Sequence, residues 1–132
     1  MISGAVVDPS PLSRPLLQSV FVDCEVRWST TGEEGLNQAT VAVLRDQPVN
    51  FILLDAHIHD PAPELFIEEF RALEQRFAIE RPAAIIMMSS SSRVTVQADH
   101  VMPELAGFLC RPFQRDDLER CFVQAGLRKC PV

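Results

Sequence analysis

The chain has 132 residues, the size of one domain with room for a real core, and its 47% hydrophobic and 23% charged content suits an ordinary globular protein. A net charge of −6 argues against nucleic-acid binding, which needs clustered Lys and Arg to neutralise phosphates. No apolar run approaches the roughly 20 residues of a membrane helix, so no membrane partner is expected.

Five apolar runs read as strands. The first, GAVV (4–7), is followed by Asp8–Pro9 and then by Ser10–Pro11, an N-cap and first-turn pair. That pair predicts a helix turning Leu12, Leu16, Leu17 and Val20 inward, with Pro15 inside it as a kink. The second run, CEVRW (24–28), alternates in polarity and suits a position nearer the edge of a sheet, with Trp28 as packing. A helix follows from Gly32 to about Arg45, with Leu36, Ala39, Val43 and Leu44 as its apolar stripe.

The third run, VNFILL (49–54), leads into Asp55. A helix between Pro63 and Ile79 follows, carrying Phe66, Ile67, Phe70, Leu73 and Phe77 on one side. The fourth run, PAAIIMM (82–88), ends at Ser89. Between it and the fifth run, β-branched Val94, Thr95 and Val96 and then Pro103 predict a short or irregular helix. The fifth run, AGFLC (106–110), ends at Arg111, and a last helix from Gln114 to about Leu127 buries Leu118, Cys121, Phe122 and Ala125.

Apolar runs alternating with helical segments imply one α/β domain over residues 4–127, with 128–132 as a tail or the start of a linker. The expected architecture is a single doubly wound, five-stranded parallel sheet with helices on both faces. The N-terminus has no basic start before a long apolar core, so no signal peptide is expected and the location is read as cytoplasmic. Cys24, Cys110, Cys121 and Cys130 form no C-x-x-C pair and fit no common zinc spacing, so they read as reduced thiols.

In such a sheet the working residues gather at the carboxyl ends of the strands, beside the switch in strand order. Asp8, Asp55, Ser89 and Arg111 all stand at strand ends. Two carboxylates, a hydroxyl and a guanidinium suit a phosphoryl group and a divalent cation. The stretch DAHIHD offers a rival reading, because His57 and His59 resemble the first metal motif of amidohydrolase-type barrels. That barrel takes about 250 residues and further ligands downstream, whereas this chain has only His100 besides. His57 and His59 are therefore read as solvated loop residues near an acidic pocket. Taken singly, Asp55 would read as a turn or capping residue, Arg111 as a surface ion-pair partner and Phe108 as plain core.

The order of these pieces resembles the receiver domain of two-component response regulators, a flavodoxin-like fold. AVVDPSPLSRPLL is similar to that family's first strand, acidic turn and first helix; STTGEEGL to its entry into the second helix; FILLDAHIHD to the stretch with the phosphoacceptor aspartate; IIMMSS to the strand ending in Ser or Thr; and GFLCRPF to the ending in which lysine precedes proline. Ser89 and Arg111 lie 22 positions apart, a separation typical of the family. The resemblance implies a signalling module rather than an enzyme. Asp55 would accept a phosphoryl group from a histidine kinase or phosphotransfer protein, with Mg²⁺ held by Asp8, Asp55 and the backbone carbonyl of His57. Ser89 and Arg111 would bind phosphoryl oxygens, and Phe108 would reposition to alter a surface for a homodimer or output-domain partner. The Arg111–Pro112 bond is expected to be cis.

Two departures qualify the resemblance. The second acidic residue expected after the first strand is Pro9 here, leaving a site charge of −1 rather than −2 and weakening Mg²⁺; Asp60 or water is the replacement to look for. Arg111 stands in place of lysine, and its permanently charged fork is suited to clamp Asp55 or Asp8. The alternative reading is thus a degenerate pseudo-receiver, a protein–protein interaction module independent of phosphorylation.

Overall fold

The computed structural model describes residues 2–10, 12–90 and 105–127. Five strands make one parallel sheet: β1 (Ser3–Val7), β2 (Glu25–Ser29), β3 (Phe51–Asp55), β4 (Ala84–Ser89) and β5 (Gly107–Cys110). Their order is β2-β1-β3-β4-β5, with every neighbouring pair parallel. The order reverses between β1 and β3, so the crevice at the carboxyl end lies between their tips. Among the described residues four helices accompany the strands: α1 (Arg14–Val20), α2 (Gly32–Leu44), α3 (Pro63–Arg76) and α4 (Arg115–Gln124). The expected fold class holds, and β2 lies at the edge. The irregular helix expected from Val94 to Pro103, His100 and Cys130 lie outside the described residues.

Both sheet faces are buried, because successive strand residues point to opposite sides. Ala5, Val7, Ile52, Leu54, Ile85 and Met87 join Ala39 and Ala42 of α2 and Phe66, Ile67, Phe70 and Leu73 of α3 in one core. Val6, Phe51, Leu53, Ile86, Met88 and Leu109 join Leu17 and Val20 of α1 and Leu118, Cys121 and Phe122 of α4 in the other. The second core is pinned by an aromatic trio, with Phe51 lying 5.2 Å from Phe21 and 4.8 Å from Phe122. Gly4 lies directly under the Phe51 ring; a Cβ there would come within 2.1 Å of a ring carbon, so only glycine admits the ring.

Three sequence expectations change. The first helix begins at Arg14 rather than after Ser10, and Leu12 is 86% exposed. Ser10 donates its N–H to Asp8 Oδ1 at 2.9 Å, which holds this segment in a turn and delays the helix to the next Ser-x-Pro. Pro15 therefore falls in the first turn of α1, where its missing N–H is harmless, and it does not act as an interior kink. On α2 the buried face uses Gly35, Ala39 and Ala42, while Leu44 is 69% exposed. Small residues win there because α2 packs close: a Cβ on Gly35 would come within 2.7 Å of Val7.

Candidate functional site

Backbone hydrogen bonds continue past the strand tips and set the site residues side by side. The Asp8 N–H donates to the Ser29 carbonyl at 2.9 Å, that of Ala56 to Met88 at 2.8 Å, and that of Arg111 to Ser89 at 2.7 Å. Asp8, Asp55, Ser89 and Arg111 consequently share one end of the sheet. Asp8, Asp55 and Ser89 are buried, Ser89 completely.

Arg111 ties the site together. Its Nη1 donates to Asp55 Oδ2, and its Nη2 donates to Asp8 Oδ2 at 2.7 Å. Its Nε donates to Ser13 Oγ at 2.9 Å. All three guanidinium nitrogens are thus engaged, and Met88 Sδ lies 3.9 Å from Nη2. The fork expected to clamp one carboxylate clamps both, one through each terminal nitrogen. The outer oxygens are also occupied: Asp55 Oδ1 accepts the His57 N–H at 2.7 Å, and Asp8 Oδ1 accepts that of Ser10. Burial pushes the Asp8 pKa above the usual carboxylate range, and the neighbouring Asp55 charge pushes the same way. The Ser10 N–H and the Arg111 charge only partly oppose them.

Ser13 is the site residue that sequence reasoning missed. It is the N-cap of α1, yet its side chain makes no capping hydrogen bond, because the hydroxyl is turned to Arg111. The available signal was a second helix start, the Ser-x-Pro of Ser13–Arg14–Pro15, soon after Ser10–Pro11. Nothing local pairs it with a residue 98 positions away.

The remaining candidates fall outside this cluster. His57 enters through its backbone N–H; its ring is 60% exposed, with Nδ1 3.7 Å from Asp55 Oδ1. His59 is exposed and pairs with Asp60 at 3.1 Å. Asp60 does not replace the missing acidic residue, because its side chain is 76% exposed and turned to that histidine. The loop is set by backbone bonds instead: Gly32 and Glu33 donate their N–H groups to the carbonyls of His59 and Asp60 at 3.1 and 2.6 Å. Phe108 is partly buried against the core shared by α2 and α3. Trp28 is partly buried at the edge, with the Arg14 guanidinium 4.6 Å over its ring, as expected of packing. Asp60–Pro61 and Arg111–Pro112 are both cis, the latter as expected. Among the described residues no helix is long and apolar enough to cross a membrane.

The chain aligns along nearly its whole length with solved structures of one kind. A two-component response regulator from Cytophaga hutchinsonii superposes with a TM-score of 0.73 at 14% identity, covering 95% of this chain and 96% of that one. A CheY-like response regulator receiver domain protein from Methanospirillum hungatei JF-1 gives 0.71 at 17% identity over 98% and 97%. The chemotaxis response regulator CheY4 of Vibrio cholerae gives 0.69 at 17% identity over 95% and 98%. The fold is that of response-regulator receiver domains. No protein-family model and no curated protein matches the sequence.

Receiver domains carry an acidic pocket at this end of the sheet, where a divalent cation would bind. The donors present do not fit one while Arg111 is in place. Each of the four carboxylate oxygens already accepts a hydrogen bond, two of them from the guanidinium. No cluster of three or more acidic, His or Cys side chains able to hold a metal occurs among the described residues.

Proposed function

We propose that the chain is a receiver module of two-component signalling in which Asp55 accepts a phosphoryl group from a phosphohistidine of a kinase or phosphotransfer protein. The observation that carries this reading is the joining of Asp8, Asp55 and Arg111, from three different strand tips, into one hydrogen-bonded cluster at the switch between β1 and β3.

Arg111 Nη1 leaves Asp55 Oδ2, and a carboxylate oxygen of Asp55 attacks phosphorus. The P–N bond to the donor imidazole breaks, and the imidazole nitrogen keeps the electron pair and takes a proton from water. The acyl phosphate that results carries more negative charge than the carboxylate it replaces, so the freed guanidinium pairs with its oxygens. Ser89 supplies a hydroxyl to another phosphoryl oxygen. Phe108 then repacks at the adjoining surface, changing the face shown to an output partner or a second copy. The module works in the cytoplasm, and no nucleic acid is assigned to it.

One observation favours a second reading. Asp55 exposes only 3% of its surface, with Arg111 bound to it, so a donor reaches it only after the fork swings away. If the fork never yields, the domain is a phosphorylation-independent interaction module. Incubation with acetyl phosphate or phosphoramidate, followed by intact mass, separates the two. A gain of one phosphoryl group that Asp55→Asn abolishes supports the receiver reading. No gain with either donor, with or without added Mg²⁺, leaves the interaction module.

A further inference from the structure

We infer that Arg111, braced by Ser13, is a built-in replacement for the divalent cation, so that Mg²⁺ enters this pocket only by expelling the guanidinium. A metal ion in an acidic pocket does two physical things: it cancels part of the carboxylate charge, and it bridges oxygens from different strands. Arg111 does both. Its two terminal nitrogens reach Asp55 Oδ2 and Asp8 Oδ2, so one cation spans the tips of β3 and β1. The outer oxygen of each carboxylate is taken by a backbone N–H, from His57 and from Ser10. A dication would have to share these oxygens with a neighbouring guanidinium that cannot lose its charge.

Two further features point the same way. The position after Asp8 is Pro9, which has no side-chain oxygen to offer, and Asp60 is turned out toward His59. The brace is specific to arginine. Only a guanidinium has a third nitrogen, Nε, placed to bond Ser13 Oγ while the other two hold the carboxylates. Ser13 gives up the usual N-cap bond of α1 to supply that acceptor, which identifies it as the positioning residue for Arg111. Three elements far apart in the chain are thereby locked by one side chain.

The inference concerns the same pocket as the proposed phosphoryl transfer but does not depend on it, because its readout is cation binding by the unmodified chain. MgCl₂ titrations of wild type, Arg111→Ala and Ser13→Ala are followed by thermal unfolding and by the fluorescence of Trp28, the chain's single tryptophan. The wild-type midpoint should move by less than about 1 °C up to about 10 mM Mg²⁺. Arg111→Ala should be less stable without metal and regain stability with it, with an apparent Mg²⁺ affinity at least about tenfold tighter than wild type. Ser13→Ala, which keeps the charge but frees Nε, should tighten Mg²⁺ by about threefold and decides the matter if Arg111→Ala does not fold. Equal Mg²⁺ affinity in all three chains, or no Mg²⁺ response in a folded Arg111→Ala, overturns the inference. Failure of phosphorylation at Asp55 alongside this pattern would count against the receiver reading and leave the cation inference standing.

Discussion

Two arginines meet buried carboxylates at opposite ends of the sheet, and they do so in different stoichiometry. Near the amino end, Glu74 on α3 receives Arg71 Nη1 at 2.6 Å and the Ala83 N–H at 2.7 Å, just before β4 begins. Here one carboxylate meets one guanidinium, three residues apart on the same helix. At the carboxyl end, one guanidinium serves two carboxylates. The first arrangement is charge-balanced and fastens α3 to the strand that follows. The second leaves a net negative charge in a buried place, which a purely structural ion pair has no reason to keep. The end whose charges do not cancel is the one that holds the candidate site.

The largest way to break this contrast is Arg111→Ala. It leaves two buried carboxylates facing each other without a cation, and it should cost about 3–5 kcal/mol in urea unfolding. Glu74→Ala at the other end should cost less, about 1–3 kcal/mol, because the loss is one unpaired Ala83 N–H and one arginine partner. Arg71→Ala should cost less still, about 1 kcal/mol, since the Ala83 N–H continues to serve Glu74. If Arg71→Ala proves as damaging as Arg111→Ala, the two ends are equivalent and the contrast fails.

The smallest effect expected at neutral pH is that of Asp8→Asn. It turns the two-to-one site into a one-to-one pair resembling the Glu74 end, so stability should change by less than about 1 kcal/mol. Its pH dependence has a definite sign. Burial raises the Asp8 pKa, so folding favours a proton on this carboxyl. That contribution is complete below the unfolded-state pKa and is lost as pH rises through the higher folded-state value. The asparagine variant escapes the loss, so its stability relative to wild type should improve between about pH 4 and about pH 7. Urea midpoints at both values check this; a relative decline would mean that attraction to Arg111 outweighs burial.

Much of this molecule is legible in the chain because period and punctuation are local. Strand runs such as FILL and AIIMM bury both faces and read as continuous apolar stretches; α3 shows its stripe at Phe66, Ile67, Phe70 and Leu73. The errors arose where tertiary packing overrode local signals. Ser10–Pro11 looks like a helix start until Asp8 captures the Ser10 N–H, and Leu44 looks buried until α2 approaches the sheet on its small residues instead. His57 and His59, read from the sequence as solvated loop residues, do have exposed rings; His57 is held by its backbone N–H to Asp55, and His59 by its carbonyl, which accepts the Gly32 N–H.

Sequence alone determined the alternation of strands and helices, and with it the presence of Asp8, Asp55, Ser89 and Arg111 at strand ends, because a βα repeat sends every strand the same way. Tertiary structure alone decided that Arg111 holds both aspartates and borrows the cap of α1 to do so. Those bonds join residues 56, 98 and 103 positions apart. Their existence depends on where three side chains meet after the sheet has closed, which no local pattern encodes.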